Sequence, residues 1–282
     1  MGFPLRVGLG TGNRLPFPEL ARQWQQIEDL GFDSAWVVDH FLAGNDESIP
    51  YLEAWSLIAS LGVLTKRIRF GILVSGNTYR NPGLLAKQAV TIDHATNGRV
   101  EIGIGAGWME REHHAYSYEY PSAGTRIEML DEAVQIIDSL MTEDRTTFKG
   151  KYYSFDDAPF EPKPLQQPRI PIIIGAFKPK MIKLAAKYAD TWNTRGTPEV
   201  VAPLAEQFRA AAHEVGRNPD DVRMSVYTWE APFSSEDEFR TTIEAYAKLG
   251  FSELVFPMAS HEQQAMMERC ARNVLPELRK TH

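Results

Sequence analysis

One cysteine, Cys270, is all the chain offers in 282 residues. A lone thiol excludes an intramolecular disulfide and any structural zinc site built from several thiolates, and its place in a helical pattern near the C-terminus points to ordinary packing. Long apolar runs are missing as well. No stretch approaches the roughly 20 residues needed to span a bilayer, and Met1 to Gly10 runs into an apolar strand without the regions of a signal peptide. These features lead to the expectation of a cytoplasmic protein with no membrane partner. Positive charge is not in excess: the formal net charge is -7, and a surface of that sign repels a polyanion, so no nucleic-acid partner is expected. Several hydrolytic signatures are absent too. There is no H-E-x-x-H, no G-x-S-x-G and no second carboxylate closely paired with Asp39, which leaves zinc hydrolase, serine esterase and glycosidase readings without support and predicts no metal site.

A hydrophobic content of 43% with 24% charged residues supplies ample core for a globular chain. The stretch from Gly71 to Trp108 organises the rest. It holds an apolar strand (Phe70 to Val74), an Asn-Pro helix start at Asn81 and Pro82, an amphipathic helix, a turn at Asn97 and Gly98, and a second apolar strand running into Gly103, Gly105 and Gly107. That is one strand, helix, strand unit of a parallel sheet, ending in residues small enough for a flat ligand to approach backbone. Comparable apolar strands start at about residues 5, 34, 68, 100, 171, 190, 222 and 253, nearly all separated by helical periods such as Leu20, Trp24, Ile27 and Leu30. The segment Thr146 to Phe155 reads as a hairpin, and five prolines between Pro159 and Pro171 make a stiff connection. An echo joins the two ends: IEDLGFDSAWVV and AYAKLGFSELVF each close a helix with Leu-Gly-Phe before a strand. Eight strand and helix units in fewer than 300 residues predict a closed (β/α)8 TIM barrel, a single domain over 1–282 with an insertion at about 108–168.

In such a barrel the carboxyl ends of the strands carry the chemistry. Here they bring Asp39 and His40, Ser75 to Thr78, Gly103 to Trp108, Gly175 to Lys178, Trp192 to Arg195, Trp229 with Glu230, and Pro257 with Met258. Small residues, aromatics and one histidine suit a planar organic cofactor that brings its own reactivity. His40 is the candidate proton donor or acceptor, with Asp39 fixing its tautomer; the bland alternative is a histidine that only ties down a loop. His113 and His114 read mainly as surface or loop-packing residues, with His113 also open to a place in the pocket. The alternating glycines serve either close strand packing or close cofactor contact. Gly175 to Lys180 precedes a helix whose free N–H groups suit a phosphate, aided by Lys178 and Lys180, or the two lysines are simply solvated.

Taken together, Asp39-His40, SGNTYRNP (Ser75 to Pro82), LLAKQAVTID (Leu84 to Asp93), GRVEIGIGAGW (Gly98 to Trp108), the E-x-H pattern within Glu110 to His114, YYSF, EPKPLQ (Glu161 to Gln166) and AAKYADTWN (Ala185 to Asn193) make the chain resemble the bacterial luciferase-like flavin and deazaflavin oxidoreductases. The resemblance is specifically to the branch using coenzyme F420, and it covers nearly the whole chain. It implies a barrel that binds the deazaflavin at the strand ends, with a non-proline cis peptide within Leu73 to Ser75 buckling the chain against one ring face. Contacts to the coenzyme are implied for Val74, Ser75, Gly76 and Asn77, for Gly105, Ala106, Gly107 and Trp108, and for Gly175, Ala176, Phe177 and Lys178, with His40 beside the hydride-carrying carbon. Trp108 stands where related sugar-phosphate dehydrogenases carry a glutamate, which argues against that activity. The resulting expectation is hydride transfer between the deazaflavin and a small, largely apolar organic substrate. Two rivals are a monooxygenase using reduced FMN from a partner reductase and a non-catalytic barrel that stores or senses the cofactor. By analogy with relatives, the chain is expected to form a homodimer.

Overall fold

The computed structural model describes residues 2–44 and 46–281; Asn45, read from sequence as part of a loop with Gly44 and Asp46, lies outside them, as do Met1 and His282. Apolar runs bounded by glycine, proline or polar turns form the strands β1 (Arg6–Gly10), β2 (Ser34–Val37), β3 (Arg69–Ile72), β4 (Ser75–Gly76) and β5 (Val100–Gly105). After the antiparallel hairpin β6 (Arg145–Lys149) and β7 (Ser154–Pro159) come β8 (Ile172–Gly175), β9 (Thr191–Arg195), β10 (Arg223–Tyr227) and β11 (Glu253–Pro257). Every pairing in the main sheet is parallel, in the order β3, β2, β1, β11, β10, β9, β8, β5, β4, and a further β3 to β5 pairing closes the ring. With β4 a two-residue continuation of the β3 segment, eight staves form the predicted (β/α)8 barrel.

Helices α1 (Phe17–Asp29), α2 (Ala54–Gly62), α3 (Pro82–Ala95), α4 (Glu110–Ala115), α5 (Ala123–Thr142), α6 (Pro179–Tyr188), α7 (Pro198–Glu214), α8 (Glu236–Lys248), α9 (Gln264–Arg269) and α10 (Leu275–Thr281) follow the strands. Their starts obey local chemistry. Asn81 accepts the Gly83 N–H at 2.8 Å with Pro82 in the first turn, and Ser235 accepts from Glu238 N–H. The Leu-Gly-Phe echo is one C-cap used twice: Gly31 (φ 85°) and Gly250 (φ 91°) take left-handed backbone, and Phe32 and Phe251 donate back to the carbonyls of Ile27 and Tyr246 at 3.1 Å. Both echoes then feed strands that flank β1.

The expected C-terminal helix is less regular than its pattern, since Cys270–Val274 forms a π turn between α9 and α10. The segment after Trp108, the start of the expected insertion, contains the short α4. Cys270 is buried, and burial pushes its thiol up to about 11, the behaviour of a packed rather than a reactive cysteine.

The main core lies between strands and helices, where Trp24, Trp55, Ile58, Val134, Ile137 and Phe208 are fully or almost fully buried. A smaller layer, Trp36, Ile173 and Val255, fills the barrel itself, with Leu73 and Tyr227 partly buried against it. That layer plugs the barrel, so any ligand at the carboxyl end must rest on this floor and not within a pore.

Candidate active site

The strand carrying Phe70 and Gly71 stops at Ile72, and the next peptide but one, Leu73-Val74, is cis. This places the implied non-proline cis bond within the expected window. Val74 swings across the neighbouring strands: a Cβ on Gly105 would fall 2.8 Å from Val74 Cγ2, and one on Gly175 2.9 Å from the same atom. At Gly103 a Cβ would meet the Ile72 carbonyl oxygen at 1.9 Å. The glycine alternation therefore admits the buckled segment itself, so Gly103 and Gly105 are explained by protein packing. Gly107 differs, with left-handed backbone (φ 79°) over Thr78.

His40 follows β2, and its neighbours come from far along the chain. Nδ1 lies 3.0 Å from Glu112 Oε2 in α4, and the imidazole meets the Trp108 indole edge-on at 5.4 Å between centroids. Glu112 is fully buried and saturated with donors: its Oε1 accepts the Phe41 and Leu42 N–H groups at 2.8 Å, and its Oε2 accepts the Tyr79 hydroxyl at 2.7 Å. Burial pushes this carboxyl up, but hydrogen bonds from His40, Tyr79 and the Leu42 amide outweigh it and hold the group below the usual carboxylate range. An ionised Glu112 only accepts, so in the neutral imidazole of His40 the proton sits on Nδ1 and the lone pair on Nε2, which has no protein partner among the described residues.

The expected partnership of Asp39 with His40 is therefore corrected: Glu112 orients the imidazole. Asp39 turns away. It is paired with Arg80 through two hydrogen bonds of 2.6 and 2.9 Å, and it accepts the Gly76 N–H at 3.0 Å. Burial pushes the Asp39 carboxyl up against the pull of Arg80. On Arg80, Asp39 and Glu53 outweigh burial and hold the guanidinium protonated. Asp39 thus clamps the backbone just past the cis bond to the start of α2, where Glu53 caps the helix and also accepts from Arg80. Sequence reading also missed Asn13. Its buried amide joins the β1 end to Val38 and Leu52 with three bonds of 2.9 to 3.1 Å, fixing the backbone that leads into His40.

Other candidates sort by what already occupies their polar groups. Ser75 is buried and accepts from Trp55 Nε1, and Gly76 N–H is taken by Asp39. Asn77 donates to the Tyr153 hydroxyl while its Oδ1 is buried with no partner among the described residues. Ala176 is buried, with its N–H given to the Asn193 carbonyl and its own carbonyl accepting Trp192 Nε1. Gly107 accepts from Arg126 through its carbonyl, and Ala106 is half-buried beside it. Phe177 and Lys178 are exposed at the rim, where Lys178 precedes α6 without a side-chain cap. His113 is a buried packing residue held by Thr78 (2.7 Å) and the Met109 carbonyl (2.8 Å), while His114 is exposed beside Glu110.

Two hollows of about 240 and 320 Å³ lie elsewhere, one lined by Phe3, Arg209 and Phe251 and one by Asp138, Arg169 and Tyr188. Both are remote from the strand carboxyl ends, and neither holds an unengaged base like His40. The acid-base arrangement is on the open mouth.

Known proteins share this framework. An F420-dependent glucose-6-phosphate dehydrogenase of Microbacterium testaceum is 28% identical, the match covering 99% of both chains. Among solved structures, an F420-dependent secondary alcohol dehydrogenase in complex with an F420-acetone adduct superposes with a TM-score of 0.88 at 21% identity, covering 97% of this chain and 99% of that one. The coenzyme F420 dependent tetrahydromethanopterin reductase of Methanopyrus kandleri gives 0.85 at 17%, over 98% and 99%. Residues 3–274 match the model of one family. The chain belongs to that family, the luciferase-like monooxygenases.

Proposed function

We propose that this protein is an F420-dependent oxidoreductase that moves a hydride between the deazaflavin and a small organic substrate, with His40 handling the accompanying proton. The observation that carries the proposal is the His40 and Glu112 pair: an imidazole oriented by a saturated, ionised carboxylate, with its free Nε2 at the carboxyl end of a barrel strand. The relatives named above for F420 support the choice of coenzyme.

The residues present fit a flat cofactor. Leu73, Val74 and Tyr227 offer a half-buried apolar floor; among the described residues Asn77 Oδ1 is a buried acceptor without a partner, and α6 opens with no side-chain cap. In this reading Asn77 receives a ring or hydroxyl donor, Gly107 and Trp108 flank the bound molecule, and the free N–H groups at the start of α6, with Phe177 and Lys178 beside them, hold its phosphate. The bound coenzyme supplies the hydride acceptor or donor. The protein supplies the rest: Asp39 and Arg80 fix the chain after the cis bond, Trp108 shields one side of the imidazole, and Nε2 takes the proton of a substrate hydroxyl or returns it to a carbonyl oxygen.

Turnover assays with F420 and a panel of small secondary alcohols and ketones test this reading. His40→Ala is expected to lose about 10²- to 10⁴-fold in turnover while binding the coenzyme as the parent does. Unchanged turnover in that variant, or oxygen consumption with reduced FMN and no response to F420, would overturn it.

A further inference from the structure

On β9, at the rim, Arg195 makes no ion pair and no side-chain hydrogen bond among the described residues, yet it is held in place. Its guanidinium carbon lies 4.7 Å from the centroid of Phe177 and 5.1 Å from that of Trp229. Those two rings are themselves 46% and 61% exposed. A guanidinium held against two rings with no hydrogen-bond partner keeps its N–H groups available, and the guanidinium fork takes a carboxylate or phosphate through two parallel bonds. Glu230 follows Trp229 directly but makes no ion pair with Arg195, and Lys178 next to Phe177 adds a second cation without an ion-pair partner among the described residues.

Position adds meaning to this. Round the closed ring the strands run β1, β2, β3, β5, β8, β9, β10, β11, so β9 is four strands from β2 in either direction, and Arg195 faces His40 across the mouth. In register with Arg195 on β10, Tyr227 meets Trp229 edge-on at 6.0 Å and rests against the floor. We propose that Arg195, clamped by Phe177 and Trp229, is an anion seat that selects a flat apolar molecule carrying a carboxylate or phosphate, with its reacting end toward His40. This deepens the proposed function by naming the chemical class at the mouth and rests on it for the reaction, though not for the binding. The acid group belongs either to the substrate or to the side chain of the coenzyme.

Calorimetric titration of the full chain separates these sources and tests the seat itself. The first pair of probes is 2-naphthoate and the uncharged 2-naphthalenemethanol; the second is F420 and the deazaflavin riboside lacking phosphate and acidic side chain. For a substrate acid, the parent binds the naphthoate at least tenfold tighter than the alcohol, Arg195→Gln brings the two within twofold, and Arg195→Lys keeps part of the preference. For a coenzyme acid, Arg195→Gln weakens F420 at least tenfold and spares the riboside. Trp229→Leu, which removes one face of the clamp, is expected to lose part of whichever preference the parent shows. Affinities for all four probes within twofold of the parent's in Arg195→Gln would overturn the proposal. Failure of both deazaflavins to bind the parent would sink the proposed function instead, and the naphthalene pair would still decide the anion seat.

Discussion

At the scale of single residues the site depends on one carboxylate serving four donors. Glu112 receives two backbone amides, a phenol and an imidazole, and an amide in its place has only one acceptor oxygen. Glu112→Gln should therefore leave buried donors unsatisfied and cost about 1–3 kcal/mol of stability, measurable by urea unfolding, together with at least about tenfold in turnover from loss of the fixed imidazole tautomer. The pH dependence has a defined sign. Because the folded pKa of Glu112 lies below its ordinary value of 4.5, its stabilising contribution is complete above that value and is lost as pH falls through the folded pKa. Acid unfolding of the Gln variant should lack this component. His40 was legible in the sequence because a polar residue directly after a buried strand must sit at a barrel end. Its true partner was not, because Glu112 stands 72 positions away in a polar run with no period long enough to show a buried face. Asp39 was the natural choice by adjacency, and neighbours on an extended chain point to opposite sides.

At the scale of elements, the strands were readable because β-branched and leucine-rich runs ended in glycine or polar turns, and all eight staves lie where those runs predict them. What the pattern could not show is why the glycines alternate. They make room for Ile72 and Val74, so the β3 to β4 segment and β5 form one unit. Gly103→Ala, whose Cβ would press on the Ile72 carbonyl, should destabilise by about 3 kcal/mol and disturb the mouth. Gly124→Ala, early in α5 with only Ser122 Oγ at 3.8 Å, should be neutral or slightly stabilising. Comparable loss in both variants by thermal or urea unfolding would refute this account of the alternation. A second long-range unit joins two segments that sequence reading treated separately. Asp93 in α3 accepts from the Leu165 N–H at 2.7 Å and from Gln166 Nε2 at 2.8 Å, tying the proline-rich connection to the helix behind the site.

At the scale of the whole molecule, the two ends of the barrel carry different chemistry. The mouth is aromatic and open; the opposite, amino-terminal end of the strands holds buried charge, with Glu101 bonded to Arg6 and Arg69 and with Glu253 fully buried, neither oxygen having a partner among the described residues. Burial, and then Glu101, push Glu253 up to about 7 against the pull of Arg6, Arg223 and Arg69. A carboxyl raised in the folded state contributes stability that is complete below its ordinary value and is lost as pH rises through about 7. Glu253→Gln should remove that slope and raise stability at pH 8 by roughly 1–3 kcal/mol, read from urea unfolding between pH 5 and 8; an unchanged slope would contradict it. No helix among the described residues is long and apolar enough to cross a membrane. The closed ring and its direction were legible from the count of strand and helix units, whereas the opposition of Arg195 to His40 exists only once the ring closes.

The central claim is that this barrel holds a deazaflavin over the floor made by Leu73, Val74 and Tyr227, with His40 at its edge. An anaerobic titration of the purified protein with oxidised F420 and, separately, with FMN, followed by absorbance and fluorescence, tests it most directly. The account predicts saturable micromolar binding of F420, retained in His40→Ala, and no comparable binding of FMN. Saturation by FMN alone, or by neither, would contradict it.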